Sequence, residues 1–481
     1  MRVIRYKSAG WESWDLAKKP LIAEQMPQLI DDDLLFEDDG TIRPTVTVNR
    51  WLRELPVSGA QSPKTWLVYA RVLKSWMEFL DSHGIYLFDS RDLLRSALGV
   101  LAEHRMSGPL DARWNATTWN LHVSVLSKFY RWAMAEGIAE AEPFTYSAGA
   151  RYIGPQIVAA RRNNARRQTA KPHSLIKYLD EDFADLFLKV VGGMRPDGSA
   201  DDTYRGREVG RNAAVTQAVI SSGLRRQEFT YMLVYEVPPL PSRRTHVPVQ
   251  FPLGRGLTKG AKPRTTWIDY DALAELHHYI ALERSAATAG FTWAPPTHLG
   301  PALRVEDPDW QGALVDGARR PWSGLTPSER LRLVGPDGSS CVVALQSSGK
   351  PFTDWPTVFR RASERIQQAF EPRFPTVSPH RLRHTFAMRT LEWLVDGHYQ
   401  RAAALALQTD NDAGLALYLL KADPLCVLRD LLGHASVTTT EIYLRRLDVL
   451  RIFHDASAKA AEQLPGSANT TIEAQWDEDR Y

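Results

Sequence analysis

The chain has 481 residues, 44% of them hydrophobic and 24% charged, with a formal net charge of +3. These values exclude a disordered polyelectrolyte and exceed what one hydrophobic core organises, so two or three domains are expected. Cys341 and Cys426 are too few for a disulfide framework or a zinc module, and no apolar run is long enough for a leader or a membrane span. The expected setting is reducing and cytoplasmic, with no membrane partner. With so small a net charge, any nucleic-acid affinity has to come from local clusters.

Residues 1–45 are acidic around Asp31–Asp33 and carry no strong fold signal, so they read as an extension of unknown role. Tyr69, Leu73, Trp76 and Leu80 then recur on one face of a 3.6-residue period, and Gly84 ends the pattern as a C-cap. Arg91 to Arg105 reads as a second helix. Leu121, Val125, Phe129 and Trp132 mark a third, which stops at Gly137. Residues 46–146 are therefore expected to be a small helical domain.

A polar, basic stretch follows over 147–175, with Arg161, Arg162, Arg166 and Arg167. It reads equally as a solvated linker or as a strap along phosphates, where clustered arginines release counterions on binding. From 176 to 463 the pattern is mainly helical, with a β interlude. Val247–Leu253 and Arg264–Ile268 are rich in β-branched and aromatic residues and flank a turn-like segment, which predicts a hairpin. Residues 287–343 are rich in Pro, Gly and Trp and read as an insertion. The tail over 464–481 is polar and expected to be disordered. The fold class is mainly α with a small β-sheet or hairpin.

Four segments carry chemistry. Gly433 fits the end of a helix over Val427–Leu432, and Thr438-x-x-Glu441 has the form of a capping box. Tyr443 would then sit early on a short helix, with His434 in the loop before it. A lone tyrosine is usually just packed; this one stands near an imidazole. His380 and His384 lie at i, i+4, a spacing that suits zinc, but Arg381 follows the first histidine where a metalloprotease has Glu. Arg383 adds a second cation. Guanidiniums repel a metal ion and match phosphate oxygens, so no metal is expected here. Gly223-Leu-Arg225 through Glu228 reads as a helix end, a glycine turn and a second helix. Lys259 lies in the predicted hairpin, with Lys262 on the same segment.

In this order, the segments resemble the tyrosine recombinase (phage integrase) family. Gly223-Leu-Arg-x-x-Glu228 is similar to its first arginine box, and Lys259 to Arg264 to its lysine hairpin. His380-Arg-Leu-Arg-His-Thr-Phe-Ala387 is similar to its His-x-x-Arg box. Leu432-Gly-His-x-Ser-x-x-Thr-Thr-x-x-Tyr443 is similar to the box with the nucleophile. The resemblance implies a helical, SAM-like core-binding domain at 46–146 and a mixed α/β catalytic domain. It implies that Tyr443 attacks DNA to form a 3′-phosphotyrosyl link, while Arg225 and Arg383 hold the non-bridging oxygens. Lys259, or else Lys262, would protonate the leaving 5′-oxygen. His380 would assist proton movement, His434 would hydrogen-bond the phosphate and Glu228 would support the site.

No cofactor is implied. The implied partners are double-stranded DNA, three further copies in a homotetramer and an accessory directionality factor. The implied role is integration or excision of a phage or mobile element; the alternatives are Xer-type chromosome or plasmid dimer resolution, a type IB topoisomerase, or an inactive DNA-binding protein.

Overall fold

The computed structural model describes residues 1–60, 62–153, 156–169, 177–245, 248–408, 424–434, 440, 443 and 444. The expected Thr438–Glu441 cap and the 464–481 tail lie outside these residues. The chain divides into two compact units, Met1–Lys171 and Pro172–Tyr481.

The first unit opens with β1 (Arg2–Arg5) paired antiparallel to β2 (Pro27–Ile30), then a short ladder of β3 (Glu37–Asp38) and β4 (Thr41–Ile42). Helices α1 (Pro44–Glu54), α2 (Pro63–Asp81), α3 (Arg91–Ser107) and α4 (Ala116–Ala135) follow. Proline at the start of α1 and α2 costs no hydrogen bond, and Asn115 caps α4 by accepting from the Thr118 amide at 2.8 Å. Gly84 and Gly137 both take positive φ just beyond helix ends, as their sequence positions predicted.

The core of this unit is aromatic. Trp51, Trp66, Trp76, Trp119, Phe129 and Tyr130 are buried, each contributing roughly 1.5–3 kcal/mol or more. The Trp76 indole donates to the Tyr130 hydroxyl at 2.9 Å, which donates on to the Leu87 carbonyl at 2.9 Å. On α4 the expected face is partly displaced: Val125 and Phe129 are buried, but Leu121 is exposed and Trp119, Val123 and Tyr130 take the core.

Two expectations change here. The 1–45 segment is part of this core, because Met26 and Leu29 are fully buried. Asn49 of α1 extends the strand by accepting from the Leu29 amide at 2.7 Å and donating to its carbonyl at 2.8 Å. The expected linker is also structured. β5 (Tyr146–Ile153) and β6 (Gln156–Asn163) form an antiparallel hairpin, and the chain beyond it docks on the helices. Trp119 donates to the Ala165 carbonyl, Asn120 brackets the Arg167 backbone, and the Arg167 guanidinium lies 4.2 Å over the Trp119 ring. Side-chain and backbone docking explains why this polar run is structured.

The second unit contains α5 (Glu181–Val191), α6 (Val209–Ser222) and α7 (Arg226–Thr230). The hairpin of β7 (Val249–Leu253) and β8 (Arg264–Ile268) follows, then α8 (Tyr270–Tyr279) and the short α9 (Ser285–Thr288). The hairpin matches the sequence expectation, apart from Val247, which lies outside the described residues. Phe187, Val219, Phe229, Phe251, Ile268, Leu273 and Trp355 build its main core.

The expected insertion is a folded layer. β9 (Leu303–Glu306), β10 (Gly312–Val315), β11 (Ala318–Pro321), α10 (Pro327–Arg332) and β12 (Leu333–Val334) give a sheet ordered β11-β10-β9-β12. Its own apolar cluster recruits Leu233 from outside the insertion. Arg330 is fully buried there and is held by Glu236 and by the carbonyls of Tyr231, Trp322 and Leu325. The unit continues through α11 (Trp355–Ala369), α12 (Pro379–Gln408) and α13 (Pro424–Leu432). The fold is mainly helical with small sheets. No helix among the described residues is long and apolar enough to cross a membrane.

Candidate active site

The site is assembled around the end of α13. A helix C-terminus leaves carbonyls without intrahelical donors and carries partial negative charge. Here those carbonyls are taken by arginines from three other elements. Arg264, the first residue of β8, donates to the Leu431 carbonyl. Arg225, just before α7, donates to the Leu432 carbonyl at 3.0 Å, and Arg383 of α12 donates to the same oxygen.

Two glycines permit this approach. Gly223 ends α6 at φ +62, and a Cβ there would stand 2.2 Å from Phe386 of α12. Its carbonyl accepts from Arg383. Gly433 ends α13 at φ +60, where a Cβ would meet the Arg264 side chain at 2.6 Å. Only glycine suits both the left-handed backbone and the close contact.

Glu228 is the counter-charge. Its side chain is fully buried, accepting from Arg264 at 2.7 Å, from the Arg225 guanidinium at 3.1 Å and from the Arg225 amide at 2.7 Å. Burial pushes its carboxyl up, but Arg264 and Arg225 outweigh that and hold it below the usual value. The Arg383 guanidinium is pushed down to about 9, first by burial and then by the charges of Arg264 and Arg225. Three cations face one carboxylate, so the cluster is short of negative charge.

On α12, His380, Arg383 and His384 share one face at i, i+3 and i+4. His380 and His384 line a cleft of about 450 Å³ with Lys177, Thr376, Ser378 and Arg381. The His380 imidazole is pushed below its ordinary value by burial, then by Arg383, Arg225 and Lys259. Burial holds His384 at about 4, with His380 and Arg383 adding to it. His434 is likewise held at about 4 by burial, then by Arg383, Arg225 and Arg264. Its Nδ1 lies 3.0 Å from the Thr440 hydroxyl.

Tyr443 is only 2% exposed, packed with Phe386, Met388, Leu391, Leu428 and Leu432. Burial pushes its phenol up to about 12, against a partial opposing pull from Arg383. The imidazole at its hydroxyl is His384, at 2.8 Å.

The structure thus brings Arg225, His380, Arg383, His434, Glu228 and Tyr443 into one unit around α13. Lys259 lies on an exposed turn (Lys259–Ala261) between β7 and β8, close enough for its charge to act on His380. Lys262 is exposed on the same connection. Arg161, Arg162, Arg166 and Arg167 belong to the first unit. Sequence reasoning missed a role for Arg264, His384 and Thr440. His384 was signalled by its i+4 spacing from His380; Arg264 looked like the polar start of a strand.

Residues 48–137 match the family model described as phage integrase, N-terminal SAM-like domain. The helices from α1 to α4 are thus a SAM-like domain of the phage-integrase kind. No curated protein matches the chain. Among solved structures, it is similar to the Tn1549 transposon integrase in complex with transposon right end DNA, at 13% identity over 82% of this chain and 94% of that one, TM-score 0.47. It is also similar to the XerH site-specific recombinase bound to a palindromic difH substrate, at 15% identity over 86% and 83%, TM-score 0.45. The XerA recombinase is similar at 16% identity over 84% and 95%, TM-score 0.31.

Proposed function

We propose that the chain is a site-specific DNA recombinase that cuts and rejoins strands through a covalent bond to Tyr443. The observation that carries this reading is the convergence of Arg225 and Arg383 on the Leu432 carbonyl, in the segment that leads to His434 and Tyr443. A site with surplus cations and one phenol suits phosphoryl transfer: positioned charge stabilises the phosphorane-like transition state and little other chemistry is needed.

In this reading the Tyr443 oxygen attacks phosphorus, the bond to the 5′-oxygen breaks and Lys259 supplies that oxygen's proton. Arg225, Arg383 and His434 hold the non-bridging oxygens, and His380 assists removal of the proton that the Tyr443 phenol gives up. Glu228 keeps the arginines in place. The 3′-phosphotyrosyl bond conserves the energy of the phosphodiester, so a 5′-hydroxyl of another strand reverses the step without a nucleotide cofactor.

The proposed substrate is double-stranded DNA, gripped as a homotetramer on paired sites, and the proposed role is integration or excision of a mobile element with the help of a directionality factor. The arginines of the β5–β6 hairpin and its continuation supply backbone contacts in the same reading. The test is a duplex library with bridging 5′-phosphorothiolates, which trap the covalent product. Wild-type chain should yield adducts at a defined sequence, and Tyr443→Phe should yield none while still binding duplex. Adducts that persist in Tyr443→Phe, or none with wild type, would overturn the proposal.

A further inference from the structure

The residue in contact with the Tyr443 hydroxyl has no task in the reaction as written above. His384 Nδ1 lies 2.8 Å from the phenol oxygen, and the two rings stand 5.7 Å apart between centroids. On its other side the His384 imidazole meets His380 nearly edge-to-face, at 4.3 Å between centroids. Among the described residues, Arg381 and Arg383 on α12, His434 after α13 and Lys177 across the cleft are the other charged and titratable groups around it. Burial first, and then His380, Arg383, His434 and Arg381, disfavour a charge on this ring, so the imidazole is neutral. In the tautomer protonated at Nε2, Nδ1 accepts from the phenol O–H.

The geometry has a second aspect. An in-line attack needs the nucleophile within about 3–3.5 Å of phosphorus with its lone pair free. Tyr443 is 2% exposed, and its oxygen lies against an imidazole nitrogen. Among the described residues, the phenol is buried and its oxygen is paired with an imidazole, so it is not presented as a free nucleophile. Apolar packing on Phe386 and Leu432 buries the ring, but packing does not choose where the hydroxyl points. The hydrogen bond does.

We infer that His384 is a positioning residue that holds the Tyr443 hydroxyl, proton attached, out of reach of a phosphodiester until DNA occupies the site. The inference rests on the recombinase reading for the identity of the substrate; the hydrogen bond and its test do not depend on it.

The test uses the full chain without DNA. Tyrosine nitration by tetranitromethane is followed at the Tyr443 peptide by mass spectrometry in wild type, His384→Phe, His384→Asn and His384→Gln. Asn places its amide oxygen where Nδ1 stands, whereas Gln reaches the Nε2 position and leaves the phenol unpaired. Nitration of Tyr443 should rise about tenfold in the Phe and Gln variants, the factor expected for one lost hydrogen bond. It should stay within about twofold of wild type in the Asn variant. Equal nitration in Asn and Gln would overturn the inference, and this comparison decides the matter even if His384→Phe fails to fold. Trapping wild type on the phosphorothiolate library separates the two readings. No Tyr443-dependent adduct defeats the recombinase reading and leaves the nitration contrast standing; adducts without a nitration contrast defeat only the role of His384.

Discussion

Arg225 and Arg383 donate to a single oxygen, the carbonyl of Leu432. Two guanidiniums on one neutral dipole repel each other, and Arg264 on the neighbouring Leu431 carbonyl adds a third positive charge. The negative end of α13 and the Glu228 carboxylate offset only part of this. Under the proposed function, an entering phosphate would supply the missing charge where the helix end now stands.

Gly223 is the most exacting position at this site. Gly223→Ala would drive a methyl into Phe386 and force a non-glycine residue to φ +62. It would also shift the carbonyl that anchors Arg383. The expected loss is roughly 2–4 kcal/mol, read as a lower urea midpoint by tryptophan fluorescence. An unchanged midpoint would mean that α6 and α12 do not meet as described.

Stability should depend on pH through His384 and His434. Both are held at about 4 in the folded chain against an ordinary value of 6.5. The unfolded chain therefore takes up their protons first as pH falls. Their contribution is intact above about 6.5 and is progressively lost down to about 4. Melting temperature should drop between pH 7 and pH 5, and the drop should shrink in a His384→Asn, His434→Asn double variant. A melting temperature that rises on acidification would contradict these environments.

The hairpin arginines should separate by role. Arg161 and Arg162 are exposed, whereas Arg167 covers Trp119 and donates to the Ala102 carbonyl. Replacing Arg161 and Arg162 with Ala should make the slope of log affinity against log salt shallower by up to about 1.8, two phosphate contacts' worth. Arg167→Ala should instead lower the melting temperature. A salt slope that ignores Arg161 and Arg162 would remove them from the DNA interface.

Helix ends were the most legible part of the sequence, because Gly84, Gly137, Gly223 and Gly433 announce positive φ in one residue each. The β7–β8 hairpin was equally plain from its β-branched strands. The order at 1–45 was not, since Met26 and Leu29 are isolated apolar residues whose partners lie on α1 and α2, far along the chain. In the β5–β6 hairpin, a run of arginines drew attention from the tyrosines and isoleucines of its two strands. At the site, motif spacing picked out residues that lie around one helix end but was silent on their contacts. Which of two histidines on one helix face meets Tyr443 depends on how α12 and α13 pack, and no local pattern encodes that.

The sheet of β9 to β12 is tied into the rest of its unit at two points. Arg330, within it, holds Glu236, and Leu233 and Val342 share one apolar cluster with it. Deleting the layer would bare the Leu233 side chain and release Glu236 together, so it cannot be removed without cost to the rest of the unit.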